Sequence, residues 1–298
     1  MALTVMGRQV RLNLSWLKPP PSPPDGSMTL FEHLRELRYR LVLASVAIMV
    51  AMALSAIFYP QLLAVLRHPY DVGIDQLKLR NPGATTLLVN NGIASPFTLA
   101  LKVCLVSGLV LSGPVWLYQL WAFIVPGLLA KEKKWALIFI GTASPLFAAG
   151  VVLGYFIMPK GIAVLLGFTQ SGITNLQDIN VFLSFLLRVM IVFGIAFLIP
   201  LIVLMLNIVG VIKASQLSKA RVYVIFGTFV FGAVATPSTD PFSMLALAIP
   251  MAGLFVAAEG LAHILDRRKA RRALESDGEI VLRDTALDDL DQPDTDDR

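Results

Sequence analysis

Two carboxylates, Glu36 and Glu132, stand at the edges of long apolar runs among basic residues. Glu132 closes the stretch GPVWLYQLWAFIVPGLLAKEKK (113–134), just beyond Pro126-Gly127 and between Lys131 and Lys133-Lys134. Glu36 lies in MTLFEHLRELRYRL (28–41), at the foot of the first apolar run. Lysines are expected where an apolar segment leaves a membrane on its cytoplasmic side, but an acid among them is not. A pair of converging carboxylates would hold one or two guanidinium groups, because arginine offers a planar fork suited to bidentate pairing. Plainer readings stand beside this one. Glu36 is spaced as an i,i+4 partner of Arg40, worth about 0.2–0.5 kcal/mol, and Glu132 reads equally as a solvated loop residue. Phe123 would give such a site an apolar wall, or else belongs to the core or to an aromatic belt with Trp116, Tyr118 and Trp121.

Other chemistry finds little material. The single cysteine, Cys104, lies within an apolar run, and His33, His68 and His263 are too scattered to build a metal site with it. No nucleophile–base arrangement and no GxxxxGK[ST] loop occurs, so neither an enzyme nor a nucleotide-driven pump is expected, and no cofactor. Lys102 and Arg188 fall inside apolar runs near one end and read as cations that snorkel to the interface. Glu259, near the end of the last run, reads either as a partner for basic residues of the tail or as a polar contact for another membrane helix.

The elements that must position these groups are membrane helices. Of the 298 residues 56% are hydrophobic and only 15% charged, against about 25% charged in soluble domains. Apolar windows long enough to cross hydrocarbon fall at 40–59, 97–124, 135–158, 182–206, 222–235 and 241–258. Pro114 marks a kink in the second. The fifth is short, with only about 14 residues between Arg221 and Thr236. Before the first, Leu30, Phe31, Leu34, Leu37 and Leu41 recur at helical spacing, which describes an amphipathic interfacial helix. Arg35, Arg38, Arg40, Lys131, Lys133, Lys134, Lys213, Lys219, Arg221 and the 267–272 cluster share one side. Both termini are therefore expected in the cytoplasm, and the net charge of +5 reflects this topology rather than nucleic-acid binding. The proline-rich leader, 1–27, and the basic-then-acidic tail, 264–298, read as disordered extensions of a membrane domain spanning 28–263.

The motifs in this frame resemble those of the TatC family, the signal-peptide receptors of twin-arginine (Sec-independent) protein translocases. Phe31-Glu32-His33-Leu34, Glu36-Leu37-Arg38 and Arg40-Leu41 follow its FxEHLxELRxRL pattern. Tyr118, Gln119, Trp121, Phe123, Ile124, Pro126-Gly127-Leu128 and Glu132 follow its YQxWxFIxPGL…E loop. Ser95-Pro96-Phe97 with Lys102, Phe193-Gly194 with Ile199-Pro200, Lys219-Ala220-Arg221 and Thr236-Pro237 match as well. The resemblance implies an all-α, polytopic membrane protein of six transmembrane helices in a concave, glove-like arrangement. It implies a receptor for twin-arginine signal peptides at the core of an export system for folded proteins, driven by the proton-motive force. It also implies a bacterial inner-membrane location, single-span TatA/TatB-like partners and an oligomeric complex. Glu36 and Glu132 would bind the paired arginines, Arg38 would support them and Phe123 would contact the apolar part of the motif. The chain departs from the family pattern at Leu198 and Val256, where members often carry acids; Glu259 lies three residues after Val256. The rival reading from the residues is a proton-coupled small-solute transporter, which needs ionisable groups near the bilayer midplane, whereas those here gather at the interfaces.

Overall fold

Eight helices carry the chain in a computed structural model that describes residues 2–5, 8–11, 30–83, 85–124, 133–170, 173–235 and 241–290. They are α1 (Leu30–Ile57), α2 (Tyr59–Arg80), α3 (Ser95–Leu111), α4 (Gly113–Ile124), α5 (Lys133–Gly167), α6 (Ile179–Val209), α7 (Ala214–Ala235) and α8 (Pro241–Leu290). Four short strands accompany them: β1 (Ala2–Val5), β2 (Arg8–Arg11), β3 (Thr85–Val89) and β4 (Thr174–Asp178). Among the described residues five helices (α1, α5, α6, α7 and α8) are long and apolar enough to cross a membrane, and the bent pair α3–α4 passes the same test when its two halves are taken together, for up to six spans.

The bend between α3 and α4 is 61° and falls at the expected proline. Pro114 has no N–H to give, so the ladder breaks there and restarts on the Ser112 carbonyl, which accepts from Val115 (2.9 Å) and Trp116 (3.1 Å). The carbonyl of Leu109 accepts instead from the Trp116 indole Nε1 at 2.9 Å. Without such partners a broken helix would expose its backbone to hydrocarbon.

Other boundaries differ from the sequence expectation. The stretch between the first two apolar windows, 60–96, where no span is expected, contains α2, whose Leu66, Tyr70, Ile74 and Leu77 are buried at helical spacing. The span expected to stop before Pro159 continues to Gly167, because Ile162 and Ala163 are buried beyond the proline. The fifth span is not short. α7 starts at Ala214, takes Lys219 and Arg221 into its first two turns and runs for 22 residues. In the leader, Ala2–Val5 pairs antiparallel with Arg8–Arg11; the β-favouring Leu3, Thr4, Val5 and Val10 precede the first proline at 19. The tail is helical to Leu290, since no proline interrupts it between Pro250 and Pro293 and residues 267–275 are mostly strong helix formers. Residues 12–29, 236–240 and 291–298 lie outside the described part of the chain.

The core is built on α6. Phe182, Leu183, Leu186, Val189 and Phe193 pack with Leu66 and Tyr70 of α2, Val103 of α3, Met158 of α5 and Leu247 of α8. A second cluster joins Leu117 and Trp121 of α4, Phe139 and Phe147 of α5, and Leu198, Leu201 and Met205 of α6. Leu198, one of the two departures from the family pattern, is therefore an apolar core residue here. At one end, β3 and β4 pair in parallel from Thr85↔Thr174 to Val89↔Asp178.

Small residues let α5 and α6 approach closely. A Cβ added at Gly150 would lie 2.5 Å from the Phe193 carbonyl oxygen, and one at Gly194 would lie 2.7 Å from the Phe147 ring. Dispersion between closely packed backbones is the main attraction available to helices in lipid. The Phe193-Gly194 dipeptide singled out in the sequence is thus a packing feature. Gly150→Ala is expected to cost about 1–3 kcal/mol through overpacking against a backbone that cannot rotate away. A lowered midpoint of thermal unfolding in detergent would register it, with Gly227→Ala, which meets open space, as the unaffected comparison.

Candidate functional site

Glu36 lies in the second turn of α1 and is buried. Its Oε1 accepts from Arg40 Nε at 2.9 Å and Nη2 at 2.5 Å, so the i,i+4 pairing expected from spacing is present. Oε2 is also buried, yet makes no hydrogen bond with any described residue. A carboxylate held by one oxygen, with the other unanswered, is an acceptor prepared for a further donor.

One turn before it, the His33 ring stacks on Phe123 with centroids 4.4 Å apart and planes 15° from parallel. This contact places the last turn of α4 against the foot of α1. Two residues earlier in α4, Trp121 stacks on Phe139 of α5 at 4.1 Å. Glu132 and the Pro126-Gly127 turn lie outside the described residues, but the helices on either side of that segment are fixed by these two stacks. Phe123 thus lies in the same region as Glu36, one helical turn from it through His33.

Arg38 is exposed, two residues from Glu36 and about 200° around the helix. Arg40, rather than Arg38, grips the carboxylate.

Glu259 belongs to a separate polar cluster. Only 2% of its side chain is exposed, and both oxygens are engaged. Arg221 of α7 donates Nε to Oε2 at 2.8 Å and Nη2 to Oε1 at 2.7 Å, and Ser218 Oγ donates to Oε1 at 2.7 Å. His263 Nε2 lies 2.7 Å from the same hydroxyl. One turn further, Asp266 accepts from the Ala214 backbone N–H at 2.9 Å and from Asn207 Nδ2 at 3.2 Å, tying α8 to the start of α7 and the end of α6. Glu259 reads in the sequence as a partner for basic residues of the tail or a polar contact for another membrane helix; its described hydrogen bonds are with neither a tail residue nor a partner chain but with Arg221 and Ser218 of α7 within the same chain. The sequence carries this cluster as two matched stripes, Ala214–Ser218–Arg221 and Glu259–His263–Asp266. Each recurs every three or four residues on its helix, but only the antiparallel packing of α7 on α8 brings them together.

Known proteins are similar to this chain in both sequence and fold. A family model described as "Sec-independent protein translocase protein (TatC)" matches residues 32–250. A Sec-independent protein translocase protein TatC from Frankia casuarinae is 41% identical over 254 residues, covering 83% of this chain and 69% of the relative. The one from Aquifex aeolicus is 32% identical over 245 residues, covering 81% and 98%. Among solved structures, the crystal structure of the twin arginine translocase receptor TatC in DDM superposes with a TM-score of 0.65. It shares 31% identity and covers 77% of this chain and 99% of that one. An all-helical polytopic fold, the two sequence motifs and matches over more than three quarters of the chain agree: this chain belongs to the Sec-independent protein translocase (TatC) family.

Proposed function

We propose that this chain is the membrane receptor of a twin-arginine export system and that Glu36 is one half of its arginine-binding site. The observation that carries this reading is the buried Glu36 Oε2, which has no partner among the described residues beside the His33–Phe123 stack. Arg40 fixes Oε1, so that an incoming guanidinium meets a preoriented acceptor. Glu132, on the segment that leaves α4 just after Phe123, is the second acid of the proposed pair. Phe123 offers an aromatic face to the apolar residue that follows an arginine pair. Arg38 is exposed and adds positive potential on the far side of α1 rather than a contact to Glu36. Its support of the site would act on the loop or on lipid phosphate.

In this reading both termini and the Glu36 end face the cytoplasm of a bacterial cell, and the substrate is a folded protein carrying its basic signal peptide to that surface. Energy comes from the proton-motive force, and single-span TatA/TatB-like proteins complete the machine. A partner helix approaching α7 would meet Arg221, whose side chain is 51% exposed, and the exposed Val222, Tyr223 and Phe226. It would not meet Glu259 directly, because Arg221 and Ser218 occupy both of its oxygens.

Glu36→Gln keeps the shape but removes the charge, and each lost charge-assisted hydrogen bond is worth about 1.5–3 kcal/mol. Photo-crosslinking of a twin-arginine precursor in membranes is expected to fall at least about tenfold in Glu36→Gln and in Glu132→Gln, with both proteins still inserted. Undiminished crosslinking in both variants would overturn the assignment. A second expectation separates an internal role for Glu259 from a partner-contact role. Glu259→Gln should weaken the α7–α8 interface by about 3 kcal/mol, the lower end for breaking a buried pair because Arg221 is half exposed. Thermal unfolding of the isolated chain in detergent would then shift downward; an unchanged midpoint with lost assembly would favour direct contact.

A further inference from the structure

At the end of the molecule away from Glu36, two cations share a cavity that the receptor function leaves unexplained. Lys102 of α3 and Arg188 of α6 line a hollow of about 400 Å³ with Asn180, Val181, Ser184 and Phe185. The Lys102 Nζ donates to Ser184 Oγ at 2.9 Å, and that hydroxyl donates onward to the Asn180 carbonyl at 2.6 Å. Two of the three ammonium protons are left over. Among the described residues no carboxylate pairs with either Lys102 or Arg188, although the Arg40, Arg67 and Arg221 guanidiniums all have acidic partners.

The surroundings of these cations matter. Arg188 lies nine residues into α6, the most apolar of the candidate spans among the described residues, with its side chain exposed, and Lys102 is half-buried. Cations at the end of an apolar span that no described acid answers suit a bound anion at the membrane interface. The cavity is not polar throughout. It continues into a second hollow of about 210 Å³, where Leu105, Val106, Leu187 and Ile191 join the same two cations. Val106 and Leu187 then open into an almost wholly apolar groove of about 370 Å³ between α2, α3, α5 and α6. A positive mouth leading into an apolar channel fits an anionic amphiphile better than a free ion or a soluble peptide.

We propose that Lys102 and Arg188 form a binding site for an anionic phospholipid of the outer leaflet. Its phosphate sits between the ammonium and the guanidinium, with Ser184 holding Lys102 in place, and one acyl chain lies along Leu105, Val106, Leu187 and Ile191. The bound lipid's single negative phosphodiester is shared by two cations that no described carboxylate compensates, and its chain fills the groove between α3 and α6. A net negative headgroup is preferred, because the ammonium of a zwitterionic lipid would be repelled by the same two cations.

Native mass spectrometry of the full chain, titrated with phosphatidylglycerol or phosphatidylcholine of equal acyl length, tests the site. Phosphatidylglycerol adducts should persist at roughly tenfold lower lipid concentration than phosphatidylcholine adducts, and the preference should vanish in the Lys102→Gln/Arg188→Gln double variant. Lys102→Arg and Arg188→Lys should retain it, as should Arg67→Gln, which removes a cation on α2. Should the double variant not fold, Arg188→Gln alone carries the test, since that side chain pairs with no acid among the described residues. Equal binding of the two lipids, a preference surviving in Lys102→Gln/Arg188→Gln, or displacement of lipid by millimolar inorganic phosphate would each overturn the proposal.

Discussion

Hydrocarbon offers nothing to a polar group, so each ionised or hydrogen-bonding side chain in the spans must be answered within the chain or by something bound to it. That constraint orders most of what is distinctive here. The carbonyl freed at the Pro114 break takes the Trp116 indole. Glu259 is enclosed by Arg221 and Ser218. Asp266 caps the start of α7 while holding Asn207 of α6. Where the rule is met in full, the result is structural rigidity. It is met only in part at Glu36 Oε2 and at the Lys102–Arg188 hollow, and those are the two places where we propose that ligands bind.

The two kinds of site are built differently. At the α7–α8 cluster the donors and acceptors are matched one for one, and the arginine fork closes both carboxylate oxygens. At the foot of α1, Arg40 delivers both of its bonds to one oxygen and leaves the other bare. The difference arises from reach. Arg40 approaches Glu36 along the same helix from four residues away, whereas Arg221 faces Glu259 from a neighbouring helix and can present its fork squarely. Glu36, paired within its own helix, keeps one oxygen without a described partner, while Glu259, paired across helices, has both oxygens engaged.

Apolar packing supplies the frame that keeps these sites apart. α6 runs through the middle of the core and carries both the small-residue contact with α5 and the Leu198 cluster. Leucine in place of an acid at that position converts what would be a polar spot into core, and it leaves the polar chemistry of the spans at their ends. The bend between α3 and α4 matters for the same reason, because it directs the last turn of α4 onto α1, where Phe123 meets His33.

By itself the sequence determined the membrane class, six apolar windows of spanning length, the Pro114 bend and the i,i+4 spacing of Glu36 and Arg40. All of these follow from composition, apolar run length or contacts within a few residues. It misjudged α2, the length of α7 and the helical tail, because an apolar window marks where lipid is tolerated rather than where a helix begins or ends. Buried stripes such as Leu66, Tyr70, Ile74 and Leu77 sit on protein, not lipid, and make no continuous apolar run. Only the tertiary structure decided that Arg221 belongs to Glu259, that Phe123 lies by Glu36 and that Lys102 shares a cavity with Arg188. Those partners are separated by between 38 and 87 residues, and no local pattern specifies which faces of distant helices will meet.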